Sequence, residues 1–378
     1  MLSGPRVWHR RVTASVSYRE VAEICAVHVQ STLMLTNKVS IRDVEDLEDL
    51  LSVPTESLIH TFRSLDGDIG ILGVGGKMGP TLARMAVRAS HAAGIKRRVT
   101  GVSRFSSGDL ESRLQSSGVQ TIRCDLLNRA NLASLPDFPN IVYMAGMKFG
   151  SSGNESLTWA MNSFLPALVS EKYVSSRIVA FSTGNVYGLS SVSRGGSREG
   201  DTLNPVGEYA MSCLGRERIF EHFSLANHTK MVIIRLNYAV ELRYGVLLDI
   251  ATRVYSGKPV ALSMGCLNAI WQGDANAWSL EALGYASSPP KVLNITGPEL
   301  LSVRRVAETF GERFGKAVKF EGIESEDALL SNAQESFALF GHPRVTAEQL
   351  IDWIADWVAR GGTTYAKPTH FEERAGRF

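Results

Sequence analysis

The sequence predicts an α/β fold, a doubly wound parallel sheet with a smaller C-terminal lobe. Three observations predict it. Short apolar runs alternate with amphipathic helical stretches between residues 68 and 236, and the first run ends in a glycine-rich turn. The length of 378 residues suits about two domains.

Ile41, Val44, Leu47, Leu50 and Leu51, with acids between them, space an amphipathic helix that Pro54 stops. Thr55 then caps a second helix carrying Leu58, Ile59, Phe62 and Leu65. Both are expected to pack against the main domain and to carry no chemistry. Asp68–Leu72 reads as a short buried strand, and Pro80–Ala93 as a helix with Leu82, Met85, Ala86 and Ala89 on one side and Gly94 at its end. Strand Arg98–Val102, helix Asp109–Ser117, strand Val119–Cys124 and strand Ile141–Ala145 follow. A long helix over Leu157–Val174 precedes strand Arg177–Ser182, a helix from Pro205 to Phe223, and the apolar strand Met231–Leu236. Strands separated by helices at this spacing require a parallel sheet with crossovers on both faces, whose ligands bind at the carboxyl ends of the strands. After Leu236 the alternation weakens, although Val292–Thr296 reads as one more strand, and Trp353, Ile354 and Trp357 mark a terminal amphipathic helix.

The expected organisation is an extension or mis-assigned start over 1–33, a helical segment over 34–65, a dinucleotide-binding domain over 66–240 and a substrate-binding lobe over 241–378, with 266–297 returning to the sheet domain. Between Met1 and Arg19 stand Arg6, Arg10, Arg11 and Arg19 without an acid, the composition of an organelle transit peptide. A mis-assigned start gives the same composition, because Met34 precedes the first globular pattern. The expected location is the cytoplasm, with organelle targeting as the alternative.

Apolar residues at 44% and charged residues at 21% are ordinary globular values. Forty basic and 38 acidic side chains nearly cancel, so the chain lacks the positive field that nucleic-acid binding uses, and no nucleic-acid partner is expected. Cys25, Cys124, Cys213 and Cys266 lie far apart without a C-x-x-C, which argues against a zinc ribbon, an iron–sulfur site or a disulfide framework. No H-E-x-x-H or i,i+4 histidine pair occurs, so no metal site is expected. No apolar run reaches the ~18 residues of a membrane span.

Gly73-Val74-Gly75-Gly76-Lys77-Met78-Gly79 joins the first strand to its helix. Glycines there let backbone approach a pyrophosphate, and the helix N-terminus adds free N–H groups and partial positive charge. A Gly-Lys phosphate loop would need Gly at Ile71 and Ser or Thr at Met78. The spacing fits G-x-x-G-x-x-G through Gly73, Gly76 and Gly79, which points to a dinucleotide. The second strand ends Gly101-Val102-Ser103-Arg104 without an acid for ribose hydroxyls, so Ser103 and Arg104 favour NADP over NAD; a solvated surface arginine is the alternative reading. Asp125 is placed to meet the adenine amine, and Ala145-Gly146 leaves room for the cofactor.

Two later segments resemble a known family. Phe181-Ser182-Thr183-Gly184-Asn185-Val186-Tyr187-Gly188 is similar to the Ser-Ser-x-x-Val-Tyr-Gly segment of the extended short-chain dehydrogenase/reductase superfamily, the NAD-dependent epimerase/dehydratase family. Glu208 through Glu217 resembles its Tyr-x-x-Ser-Lys helix. With the glycine turn, Asp125, Asn162, Arg235-Leu236-Asn237-Tyr238 and Gln272-Gly273-Asp274, the resemblance runs from Ile69 to Thr296. It implies a Rossmann fold, bound NAD or NADP, a sugar or nucleotide-sugar substrate, and a homodimer as a candidate assembly. It further implies Tyr209 as general base and acid, and Thr183, with Ser182 beside it, as the hydroxyl that orients the reacting oxygen.

The family's lysine, one helical turn past the tyrosine, is Cys213 here. A phenol titrates near 10, and a cation at ~4 Å with an effective dielectric near 20 is worth about 4 kcal/mol, or up to three pKa units. Three readings follow. Another cation substitutes, Lys148 first and Arg216 second; the chain binds dinucleotide without turnover; or Cys213, at the position that grips the nicotinamide ribose, is itself functional, against its reading as an inert buried thiol. The first is the expectation. Asn185, Asn237, Arg243 and Trp271 are candidate substrate contacts, with a core role the alternative for Trp271 and an ion pair for Arg243. Tyr244 and the tail Lys367–Phe371 are further candidates, with His370 expected at the surface. The expected function is hydride transfer with a hydroxyl-bearing carbohydrate; the alternative is a catalytically silent dinucleotide-binding regulator or scaffold.

Overall fold

Seven parallel strands form the central sheet: β1 (Ile69–Leu72), β2 (Val99–Ser103), β3 (Gln120–Arg123), β4 (Asn140–Tyr143), β5 (Arg177–Thr183), β6 (Met231–Leu236) and β7 (Lys291–Ile295). The computed structural model describes residues 41–377 apart from positions 107, 149 and 151. The expectations for the extension over 1–33, for targeting and for the start of the helical segment at 34 fall outside the described residues. The strand order is β7-β6-β5-β4-β1-β2-β3. The chain begins in the middle, winds outward through β2 and β3, and returns to the other side of β1, where Ile69 pairs with Asn140 of β4 and with Val99 of β2. That reversal leaves a crevice at the carboxyl ends of β1 and β4.

Both faces of the sheet are covered, which is why the strands read as nearly unbroken apolar runs. Ile69, Ile71, Val142, Val179, Val232, Ile234, Leu293 and Ile295 point to one face. There they meet α3 (Gly79–Ala92), which buries Leu82, Met85, Ala86 and Ala89, and α10 (Gln272–Glu281), buried along its whole length. Leu72, Ile141, Tyr143, Ile178, Ala180 and Ile233 point to the other. That face packs on α7 (Leu165–Lys172) and on α8 (Gly207–Asn227), the longest described helix. The two-residue alternation of strand side chains assigns each set.

The single long helix expected over Leu157–Val174 is divided. It runs as α6 (Glu155–Trp159), a π turn over Ala160–Phe164, and α7. Pro166 has no amide to offer the Asn162 carbonyl four residues back. That carbonyl accepts instead from Arg216 Nε of α8 at 3.3 Å. Ahead of the sheet, α1 (Val44–Leu51) is capped by Asp43 and α2 (Glu56–Ser64) by Thr55, whose hydroxyl accepts from Leu58 N and also donates to Glu281 of α10 at 2.7 Å. α4 (Leu110–Ser116) and α5 (Arg129–Ala133) flank β3 in sequence. After β6 the chain also forms α9 (Val246–Tyr255), α11 (Val303–Phe314), α12 (Gln334–Phe340) and α13 (Ala347–Ala359), the last carrying Trp353, Ile354 and Trp357 inward. Among the described residues no helix is long and apolar enough to cross a membrane, and no group of three or more His, Cys, Asp or Glu side chains is arranged to hold a metal ion.

Candidate active site

A cleft of about 420 Å³ opens at the carboxyl ends of β1, β4, β5 and β6. Its lining includes Lys77, Lys148 and Arg216 and no carboxylate among the described residues. The glycine turn forms one wall. Gly73 adopts φ +90°, and a Cβ there would stand 2.6 Å from the Ala145 amide, so only glycine permits this approach of β1 to the β4 loop. A Cβ on Gly79 would collide with the Val74 carbonyl oxygen. At Gly76, which is exposed, a Cβ would meet only the Gly73 carbonyl, at 3.6 Å, so the open side of that residue faces the cleft. Open glycine backbone beside the first turn of α3 fits the pyrophosphate of a dinucleotide. Lys77, Met78 and Gly76 all line the cleft.

α8 brings Tyr209, Cys213, Arg216 and Glu217 to one face at helical spacing. The Tyr209 hydroxyl is hydrogen-bonded to the Thr183 hydroxyl and to the Cys213 thiol. Burial pushes the phenol far above the ordinary tyrosine range and Cys213 adds to the rise, while Arg216 and Thr183 oppose it. Cys213 is buried among Val186, Tyr187 and Tyr209, and burial raises its thiol as well. Arg216 is held from below: Nη1 donates to Phe181 O at 2.7 Å and Nη2 to Asn162 Oδ1 at 2.6 Å. A side chain on Gly146 would collide with Arg216 Nη2, so that glycine lets the cleft floor rest on the guanidinium. Lys148 stands with Nζ 5.5 Å from the Tyr209 ring centroid, and burial pushes its ammonium down to about 8.

Lys77 Nζ lies 3.1 Å from the ring centroid of Tyr244. Burial, then repulsion from Lys148 and Lys367, pushes it down to about 7, against the pull of Asp249 and Glu241. Thr183 Oγ1 accepts from Asn185 N at 3.2 Å and from Asn185 Nδ2 at 2.9 Å. The neighbouring Ser182 also lines the cleft, but its hydroxyl is engaged on the far side from Thr183. Its hydroxyl donates to Glu217 Oε1 at 2.5 Å, because alternation along β5 turns it away from Thr183, toward the buried Arg235–Glu217 ion pair. Asn237 lines the cleft but is engaged, with Nδ2 donating to Asn268 Oδ1 at 2.9 Å.

Two expected substrate contacts are corrected. Trp271 is 1% exposed and packs edge-on against Trp353, so it is core. Arg243 does not line the cleft; Nε donates to Glu241 and Nη1 to Glu48, beside a second hollow along the glycine turn. Of the expected adenosine-side residues, Ser103 Oγ approaches Gly75, Arg104 is exposed, and Asp125 accepts from Leu127 N at 3.1 Å. Ala145 is buried within the loop that follows β4. Sequence reasoning missed Glu48 of α1 and Tyr365, which line the second hollow, and it left Thr369 without the place it takes in the cleft wall. Glu48 carried a signal, since it is an acid between Leu47 and Leu51 that the helical period turns inward.

The sheet order, the glycine turn at its switch point and the cleft beyond it define a doubly wound dinucleotide-binding fold. The model of the NAD dependent epimerase/dehydratase family matches residues 69–265, and the chain belongs to that family. Among solved structures it is similar to UDP-glucuronic acid 4-epimerase from Bacillus cereus in complex with NAD, at 18% identity and a TM-score of 0.64 over 78% of this chain and 99% of that one. UDP-glucose 4-epimerase from Thermotoga maritima with UDP-glucose gives 16% and 0.64 over 78% and 99%. Pal from Bacillus thuringiensis gives 16% and 0.65 over the same shares, 78% and 99%. These likenesses are of fold. No curated protein matches the chain.

Proposed function

We propose that the protein is an NAD(P)-dependent enzyme that oxidises or epimerises a hydroxyl group of a carbohydrate, with a nucleotide sugar as the substrate class. The observation that carries this reading is the hydrogen-bonded pair of Tyr209 and Thr183 on the cleft, with the Lys148 ammonium beside the phenol. Family membership and neighbours that hold UDP-glucose or UDP-glucuronic acid support the substrate class.

Thr183 receives both Asn185 donors on its oxygen, so its own proton is directed to the Tyr209 phenolic oxygen. Tyr209 is protonated at rest. It takes the substrate hydroxyl proton on its phenolic oxygen only when nearby cations stabilise the phenolate, and it returns the proton in the reverse direction. Lys148 and Arg216 supply that positive charge in place of the family's lysine. The bound dinucleotide supplies a hydride acceptor; its pyrophosphate would be held by Gly76, Lys77 and Met78.

One observation favours a second reading, a dinucleotide-binding regulator without turnover: the residue bonded to the phenol from the next helical turn is the neutral thiol of Cys213. The two are separated by offering purified protein NAD⁺ or NADP⁺ with a panel of sugars and nucleotide sugars. Reduced-cofactor absorbance reports net oxidation, and analysis of product sugars reports epimerisation. Turnover that disappears in Tyr209→Phe is the expected result. Dinucleotide binding with no product from any sugar would leave only the regulator.

A further inference from the structure

We propose that Glu48, on a helix outside the stretch matched by the family model, is the acid that selects NAD over NADP. The inference rests on the dinucleotide reading above and concerns a different end of the cofactor. A hollow of about 300 Å³ lies between the glycine turn at Gly75 and Gly76 and the start of α4 at Gly108 and Asp109. It borders the end of β2, because a Cβ on Gly75 would stand 2.6 Å from Ser103 Oγ. In doubly wound folds the adenosine ribose lies at this point. An acid there takes its hydroxyls, and a basic group takes the 2′-phosphate of NADP.

β2 itself ends without an acid, which is the reason its sequence favours NADP. The fold brings one from elsewhere. The Glu48 carboxylate lines the hollow at 9% residue exposure and receives Arg113 Nη2 on both oxygens at 2.5 Å and Arg243 Nη1 at 2.9 Å. Arg243 Nε is taken by Glu241. Burial works against the ionised carboxyl, and the two guanidinium groups outweigh it, holding Glu48 below the ordinary carboxylate range.

Two consequences follow for a ligand. Arg113 and Arg243, which alone would make a phosphate site, are already neutralised by a carboxylate that a 2′-phosphate would have to approach or displace. A carboxylate offers about four acceptor positions and the arginines use three, so one remains for a ribose hydroxyl. The geometry therefore accepts a diol and rejects a dianion.

Calorimetric titration of the full-length protein, after removal of any co-purified nucleotide, tests this with NAD⁺ and NADP⁺. The wild type is expected to bind NAD⁺ at least about tenfold tighter than NADP⁺. Glu48→Gln keeps the shape and removes the charge, and is expected to narrow that ratio by about tenfold or more, mainly by gaining NADP⁺. The double variant Glu48→Gln, Arg113→Gln is expected to lose the gain. The wild-type ratio needs no variant, so NADP⁺ binding as tightly as NAD⁺ overturns the inference even if Glu48→Gln fails to fold. An unchanged ratio in folded Glu48→Gln overturns it too. Binding of neither dinucleotide overturns it together with the reading beneath it, a result distinct from the other two.

Discussion

Cys213 puts a neutral thiol where the proposed chemistry needs a cation, and Lys148 Nζ stands 5.5 Å from the centroid of the same tyrosine ring. Lys148→Met keeps the apolar stem and removes the charge. Its kcat is expected to fall by about 10²–10³, with folding retained, on the usual worth of a charge that stabilises a catalytic base. The pH profile carries a second signature. The ammonium is the useful form and titrates at about 8, so the contribution of Lys148 to the rate declines as pH rises through 8, and that limb should be missing in Lys148→Met. For stability the sign is opposite. The folded value lies below the ordinary lysine value of 10.5, so between about pH 8 and 10.5 the unfolded chain holds a proton the folded chain has released, and the cost that burying this ammonium imposes on folding is relieved across that window. A pH–rate profile identical in wild type and variant would remove Lys148 from the chemistry. Tyr209, Thr183 and Cys213 were legible in the sequence because one turn of helix or the end of one strand places them. Ser182 was not separable from Thr183 there, since only the sheet shows which of the two faces Glu217.

The β1–α3 unit was legible to the residue level, because its glycines answer local steric demands at Gly73 and Gly79. What the unit does with Lys77 was not. The side chain turns onto Tyr244, and burial with Lys148 and Lys367 nearby leaves the ammonium at about 7, despite Asp249 and Glu241. A pyrophosphate arriving at the first turn of α3 would restore its charge. Dinucleotide binding at pH 8 is therefore expected to take up most of a proton, read by calorimetry in two buffers of unequal ionisation enthalpy, and the uptake should vanish in Lys77→Met. Binding without proton uptake would place the pyrophosphate away from this side chain. The long helix shows the converse case. Pro166 was visible in the sequence, but the use made of it, a carbonyl of Asn162 freed for Arg216, needed the packing of α8 against the π turn.

The tail is fastened to the C-terminal half of the chain. Tyr365 N donates to Arg243 O, Thr369 N and Oγ1 donate to Asp249, Phe371 is buried, and Arg374 donates to Ser263 O and Asp327 O. Removing the residues after Gly362 is expected to lower the melting temperature by about 3–8 °C, since burial of one Phe is worth about 2 kcal/mol and several hydrogen bonds go with it. The same truncation takes Thr369 from the cleft wall, so dinucleotide affinity should fall as well. A truncated chain with unchanged melting and affinity would show that the tail is ornament. By itself the sequence determined the alternation of strands and helices, the glycine turn, and the tyrosine and hydroxyl of the candidate site, since period and short spacing encode those features. Only the tertiary structure decided that Glu48 meets Arg243 across 195 residues and Thr369 meets Asp249 across 120. Such pairs depend on how crossovers and lobe pack together, and no local pattern carries that information.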